Sequence, residues 1–478
     1  MKKRETQTSA EILKLLPSVD ALLRSEIAAE ILPEIGAKRL TVLARGAVET
    51  LRRQFQVNIV QGATDRENFS RESLQAKAET NLEIAWRDER NTKLRRVINA
   101  TGVIIHTNLG RAPLSENAKR AISEEASGYC ALEYNLETGG RGRRGARAEQ
   151  LLAELTGAGD AVIVNNCAAA CVLILTALAK GSEAIISRGE LVEIGGDFRI
   201  PDVMTESGAG LREVGATNRT HVSDYEKAIS DNTRLIVKVH PSNYRIVGFT
   251  ETPTVKELAD CARRNNILLY EDAGSGALFD LSEFGLGEEP VIINSIKSGA
   301  DVVSFSGDKL LGGVQSGLIV GRSEVIERLR KHPLYRALRA GKLIYAALEA
   351  TLESFRRDAA LQEIPVLKML AQTNAQLKKR AAKFAENLNR KLSDNSNLKF
   401  KVTEGKSIVG GGSAPTAQPP TTVLTLKHEK LSSANLEQVL RQSKPPVITR
   451  ILEDEVLIDL RTVSNAEETE LLEVLINI

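Results

Sequence analysis

Apolar positions change their spacing along this chain, and each change predicts a different kind of structure. Ile12, Leu15, Leu16, Val19, Leu22 and Leu23 recur every three to four residues, which predicts short helices over 9–55, punctuated by Pro17 and Pro33. From Asn58 to Asn91 polar residues dominate a helix-compatible pattern, expected to act as a connector. After Arg95 short β-prone runs alternate with helical ones. Val97–Ala100 and Val103–Ile105 lead into the loop Thr107–Arg111. Strands are expected at 161–164, 184–187, 211–214, 235–239, 267–270, 302–305 and 318–320, with helices at 168–178, 222–229 and 255–264. Repeated βα units predict a mostly parallel sheet covered by helices on both faces.

Beyond Arg322 the pattern turns helical and basic to about Leu392. Gly410-Gly411-Gly412-Ser413-Ala414-Pro415, with Pro419-Pro420 close behind, is expected to be a mobile loop. A small unit follows: a strand at 422–426, a helix at 434–442, a hairpin at 447–460 and a helix at 466–475. The expected organisation is a helical head (1–60), a connector (61–94), a large α/β domain (95–322), and a basic helical segment with a small C-terminal α+β domain (323–478).

Composition narrows the function classes. With 42% hydrophobic and 26% charged residues over 478 positions, the chain has the balance of a globular protein. No apolar run is long enough to span a bilayer, and charges interrupt the N-terminal region where a secretory signal would need an apolar stretch, so a cytoplasmic protein is expected. Cys130, Cys167, Cys171 and Cys261 form no C-x-x-C pair, and five scattered histidines give no metal signature; no metal is expected. Cys167 and Cys171, four apart on an Ala-rich run, are read first as small buried residues, with a two-thiolate site as the alternative. The net charge is only +2, but residues 323–399 hold 16 Lys and Arg against 8 Asp and Glu, and residues 1–60 hold 10 against 7. Such faces suit a polyanion, although on charge alone solvated helix faces are the first reading.

Three segments carry candidate chemistry. Ser304-Phe305-Ser306-Gly307-Asp308-Lys309-Leu310-Leu311-Gly312-Gly313 places Lys309 just after a buried-looking strand, in a Gly-rich loop. There, desolvation or a nearby cation would favour a neutral, nucleophilic amine. Asp272 ends another apolar strand 37 residues earlier, and ligands in open α/β sheets bind beyond the carboxyl ends of strands. Alternation turns the side chain of Glu271 to the opposite face. Pyridoxal phosphate needs such a pair: a lysine for the Schiff base and an Asp at the ring nitrogen. Asn165-Asn166-Cys167-Ala168 is a strand-to-helix turn suited to its phosphate, with the Ser306 hydroxyl as a further donor.

The chain resembles the bacterial selenocysteine synthase family, the L-seryl-tRNA(Sec) selenium transferases. The resemblance rests on Leu16-Pro17-Ser18-Val19-Asp20, on the runs Ile98–Arg111, Ser187–Gly196, Thr217–Thr220, Lys238–Tyr244 and Ser304–Gly313, and on His332-Pro333-Leu334 with Arg336–Ala340. It implies a fold-type-I, aspartate-aminotransferase-like, pyridoxal-phosphate (PLP)-dependent transferase, with Lys309 as Schiff-base lysine and Asp272 at the ring nitrogen. It also implies that serine esterified to tRNA(Sec) loses its β-hydroxyl to give an aminoacrylyl group, to which selenium from selenophosphate adds. Arg111, Arg336 and Arg339 match positions that hold the anionic donor, and Asp308 matches a position linked to activity. His240 and Asn243 join Asn166, Cys167, Ala168 and Ser306 as implied cofactor-site residues, with a core position for His240 as the alternative. Cys167 stands where the family pattern has Asn. The resemblance further implies a tRNA-gripping head and a homodecamer of five dimers, with arginines supplied by a neighbouring subunit. Two rival readings are a related PLP lyase acting on a free amino acid and an RNA-holding oligomer with a decayed cofactor site.

Overall fold

The computed structural model describes residues 15–60, 70–91, 93–195, 198–393 and 396–478. The chain forms two compact units, Met1–Arg96 and Val97–Ile478.

In the first unit the helix α1 (Glu26–Val60) packs along α2 (Arg71–Asn91). Leu40, Ala44, Ala47, Val48 and Leu51 face Leu74, Ala78, Leu82 and Trp86, a stripe repeating every three to four residues. The expected punctuation at Pro33 is corrected: Pro33 lies within the first part of α1, and the break comes at Gly36, whose φ of 75° leaves the helical region. The polar stretch expected as a connector contributes α2, whose buried stripe is only one residue wide. Residues 9–14 and 61–69, covered by the helix and connector expectations, lie outside the described residues.

The second unit is built on a seven-stranded sheet. Its strands are β1 (Asp160–Val164), β2 (Glu183–Ser187), β3 (Gly210–Val214), β4 (Thr233–Val239), β5 (Leu268–Gly274), β6 (Val302–Ser306) and β7 (Gly317–Gly321), in the order β1-β7-β6-β5-β4-β2-β3. All neighbours run parallel except β7, which is antiparallel to both β1 and β6. Period-two alternation divides the side chains between two cores. Ile163, Ile185, Ile236, Leu269 and Val303 face one, and Val162, Ile186, Val237, Tyr270 and Val302 face the other. Helix α3 (Cys167–Ala179) follows β1 directly and buries its apolar residues in the second core.

A four-stranded antiparallel sheet forms near the C-terminus from β8 (Leu398–Lys406), β9 (Pro420–His428), β10 (Arg450–Leu452) and β11 (Glu455–Asp459), in the order β8-β9-β11-β10. Two parallel ladders tie this part to residues preceding β1. Ile98–Asn99 pairs with Val447–Ile448, and Val103–Ile105 pairs with Ile408–Gly410. The second ladder corrects the expected mobile loop. Gly410, Gly411 and Gly412 all have positive φ, and a Cβ would stand 2.5 Å from Val103 Cγ1 at Gly410 and 2.3 Å from Ile105 Cγ2 at Gly411. These glycines serve a close approach of backbones, and Ser413 and Ala414 beyond them are buried.

Candidate active site

Strands β5 and β6 run parallel and in register from Val302 opposite Tyr270 to Ser304 opposite Asp272, so they finish side by side. The chain leaving β6 turns at Gly307, where a Cβ would meet Ser316 Oγ at 2.1 Å. That turn delivers Asp308 and Lys309, both buried, to a cavity of about 350 Å³. Among the described residues no hydrogen bond or ion pair holds the Lys309 ammonium, although the residue is only 5% exposed. Burying an amine without a partner is costly unless the site is built to take one.

Asp272 lines the same cavity. Its Oδ1 accepts from the Ser304 hydroxyl at 3.1 Å and from the Gly274 N–H at 3.2 Å, and its Oδ2 accepts from the Cys171 thiol at 3.3 Å. The Cys167 thiol, burial and the charge of Asp272 together hold the Cys171 thiol well above its ordinary range, so it stays a neutral donor. Glu271 projects to the other face of the strand, where burial pushes its carboxyl up.

Asn166 caps α3, its side chain accepting from the Ala169 N–H at 2.8 Å. The N–H groups of Cys167 and Ala168 precede the first intrahelical bond, and both residues line the cavity beside Ser306 and Ser316. Unspent donors, a helix dipole and hydroxyls make this end of the cavity an anion cradle. Asn243 also lines it, held by a hydrogen bond from its Nδ2 to the Glu193 carbonyl at 2.7 Å.

Arg111 reaches the cavity from the loop after Ile105, at a positive φ of 63°. Its Nη1 donates to Asp308 Oδ2 at 2.8 Å, while its Nε is buried without a partner. Gly411 and Gly412 form another part of the wall, the latter close enough that a Cβ would stand 3.9 Å from Lys309 Nζ.

Three expected site residues lie elsewhere in this chain. The imidazole of His240 is outside the cavity lining, with Nε2 3.6 Å from Glu289 Oε1, beside a neighbouring cavity of about 270 Å³. The strand-end geometry explains this: the His240 backbone N–H is spent on the Asp272 carbonyl at 2.9 Å while the ring turns aside. Arg336 and Arg339 are also absent from the lining. The Leu338 carbonyl accepts from the Asn165 N–H at 2.9 Å, so the backbone passes close to the anion cradle. The Arg339 guanidinium nonetheless turns to Glu133 Oε1 at 3.4 Å, among Arg143, Arg144 and Arg330.

Glu289 is a residue that sequence reasoning missed. It is buried, accepts from the Ala414 N–H at 2.5 Å and from the Ser275 hydroxyl, and so pins the Gly410–Gly412 wall. The run of three glycines is the available signal, because it suits a close approach of backbones as well as a mobile turn.

This geometry fits PLP: an untethered buried lysine, a carboxylate fixed by backbone, hydroxyl and thiol donors, and an open helix N-terminus share one cavity. Residues 97–464 match the family described as L-seryl-tRNA selenium transferase. The L-seryl-tRNA(Sec) selenium transferase of Alkaliphilus metalliredigens is 51% identical over 384 residues, covering 80% of this chain and 81% of its own. That of Clostridium perfringens is 44% identical over 454 residues, 95% of this chain and 96% of its own. Among solved structures, D-glucosaminate-6-phosphate ammonia-lyase superposes with a TM-score of 0.56 at 20% identity, over 82% of this chain and 97% of that one, a likeness of fold. The fold is the expected fold-type-I architecture, with a helical N-terminal part and a sheet-containing C-terminal part. With the family match running from the first short strand into the C-terminal sheet and beyond, and half of the aligned positions shared with a named relative, the chain belongs to the L-seryl-tRNA selenium transferase family.

Proposed function

We propose that this chain is a PLP-dependent enzyme that replaces the β-hydroxyl of serine, esterified to tRNA(Sec), with selenium from selenophosphate. The observation that carries this reading is the convergence of Lys309, Asp272 and the N-terminus of α3 on one cavity, in a chain of this family. When bound, the cofactor supplies an electron sink for the carbanion at the substrate Cα. Asp272 would face the ring nitrogen and favour a proton there. Asn166, Cys167, Ala168 and Ser306 hold the phosphate, and Asn243 closes the side of the pocket. Lys309 Nζ would hold the cofactor at its aldehyde carbon, and the same amine is placed to take the proton from the substrate Cα. Asp308 orients Arg111, whose unpartnered Nε suits an oxyanion of the selenium donor. Arg336 and Arg339 complete that anion site from a neighbouring subunit, as a decamer of five dimers allows. The helical head, residues 1–60, grips the tRNA, and the enzyme works in the cytoplasm. Among the described residues no helix is long and apolar enough to cross a membrane.

The test is the visible absorbance of the cofactor-loaded protein, titrated separately with seryl-tRNA(Sec) and with free serine. A change with the charged tRNA alone is expected. A change with free serine alone would replace this reading with a lyase acting on a free amino acid, and no visible band at all would overturn the role of Lys309.

A further inference from the structure

Cys167 and Cys171 stand four residues apart on α3, so their thiols share one helix face, and Asp272 meets that face from β5. The two Sγ atoms and a carboxylate oxygen all lie within 4.8 Å of one another. Cys171 Sγ is 3.3 Å from Asp272 Oδ2, and Cys167 Sγ is 3.8 Å from Oδ1. In a tetrahedral site with Zn–S near 2.3 Å and Zn–O near 2.1 Å, ligand atoms stand about 3.5–3.8 Å apart. The Cys167 contact matches such an edge and the Cys171 contact is slightly shorter, so a cation entering between the thiols and the carboxylate needs only small side-chain shifts.

We propose that the cofactor-free protein binds one thiophilic divalent cation, Zn²⁺ or Cd²⁺, through Cys167 Sγ, Cys171 Sγ and Asp272, and that this cation and the cofactor ring exclude each other. Two metal–sulfur bonds form as two thiol protons leave to solvent, so no oxidant or reductant is needed. Soft thiolates select zinc or cadmium over magnesium or calcium. Cys171 and Asp272 are buried, whereas Cys167 is half-buried and lines the cavity, which leaves the fourth coordination position facing the space that admits ligands. The Tyr270 hydroxyl, 3.1 Å from Cys171 Sγ, stands ready as a hydrogen-bond donor to the bound thiolate. Exclusion follows because an Asp272 oxygen spent on the cation is lost to the ring nitrogen. This second half rests on the reading of Asp272 given above; binding of the cation does not.

The experiment uses the full-length protein stripped of cofactor and washed with chelator. Zn²⁺ is titrated against a chromophoric indicator, and Cd²⁺ is followed by its thiolate charge-transfer absorbance. One equivalent per chain is expected, weakened at least about tenfold in Cys167→Ser and lost in Cys167→Ser/Cys171→Ser. Pre-loading one equivalent of Zn²⁺ should block the rise of the visible cofactor band, and a chelator should restore it. Absence of a stoichiometric site, or wild-type affinity retained in either variant, would overturn the proposal; the single change at half-buried Cys167 guards against a double variant that fails to fold. A cation held by these thiols with cofactor loading unimpeded would overturn the exclusion. Asp272→Asn separates the two readings: weakened cation binding supports the site, whereas normal cofactor loading and turnover in the same variant would count against Asp272 as the ring's partner.

Discussion

Where the parallel strands begin, Gly159, Leu268, Asp301 and Arg322 line a cavity of about 530 Å³; where they finish, Asp272, Ser306 and Lys309 line one of about 350 Å³. The larger cavity is electrostatically closed. Arg322 pairs with Asp301 at 2.9 Å and with Glu324, and Arg263 pairs with Asp260 at 3.2 Å. Asp301 spends its other oxygen on the Leu269 N–H at 2.8 Å. The smaller cavity holds the unspent groups: the Lys309 amine, the Arg111 Nε and the first N–H groups of α3. Volume therefore does not mark the site. Strand direction does, because parallel strands deliver their following turns, and the N-termini of their following helices, to the same end.

The sharpest way to break this comparison is Lys309→Ala. We expect kcat/KM for selenium incorporation into seryl-tRNA(Sec) to fall by about 10⁴-fold or more, with loss of the visible cofactor band. Activity within about tenfold of the wild type would move the chemistry away from this end of the sheet. Asp272→Asn comes next. Removing the carboxylate that stabilises charge at the ring nitrogen should lower kcat by about 10²–10³-fold at saturating cofactor. A change confined to cofactor affinity would reduce Asp272 to a binding contact.

The sequence made the strand ends readable because buried parallel strands are near-continuous apolar runs, and their chemistry follows immediately in the chain. Asp272 closes such a run, Lys309 follows another by three residues, and Asn166 follows β1 by two. What escaped was the chemistry that depends on distant segments. Glu289 meets the Ala414 N–H across 125 residues, and no local pattern announces that pairing. The same distance hid the purpose of Gly410–Gly412, which locally reads as a flexible turn. Strand β8 escaped for another reason: only Leu398 of its nine residues is buried, so it lacks the apolar signature of an inner strand. In the first unit, α2 buries one residue in four, and its polar majority reads as a connector.

Glu289→Gln sharpens the comparison by testing the wall instead of the reacting groups. Burial pushes the Glu289 carboxyl up, but facing His240, the Ser275 hydroxyl and the Ala414 N–H outweigh it, leaving the group below its ordinary 4.5. A depressed folded value means that its contribution to stability is present above pH 4.5 and is lost as the pH falls through the folded value. In urea titrations the wild type should therefore exceed Glu289→Gln by about 1–2 kcal/mol at pH 7, with the gap closing under acid. Cofactor affinity should fall by about tenfold, because the Gly411–Gly412 wall loosens. A gap independent of pH would assign the effect to packing instead of to the charge.

Arg322→Ala should do least, although it alters the larger cavity most directly. The guanidinium is more than half exposed, so its pairs with Asp301 and Glu324 are screened and together stabilise the fold by about 1 kcal/mol or less. Asp301 keeps its bond from the Leu269 N–H, which holds the start of β5 in place after the arginine is gone. The far ends of β5 and β6, with Asp272 and the turn to Lys309, are then undisturbed, and turnover should stay within about twofold of the wild type. A large loss of turnover without a matching loss of stability would mean that the two ends of the sheet are energetically coupled. The contrast between a closed cavity and a reactive one would then give way to a single connected site.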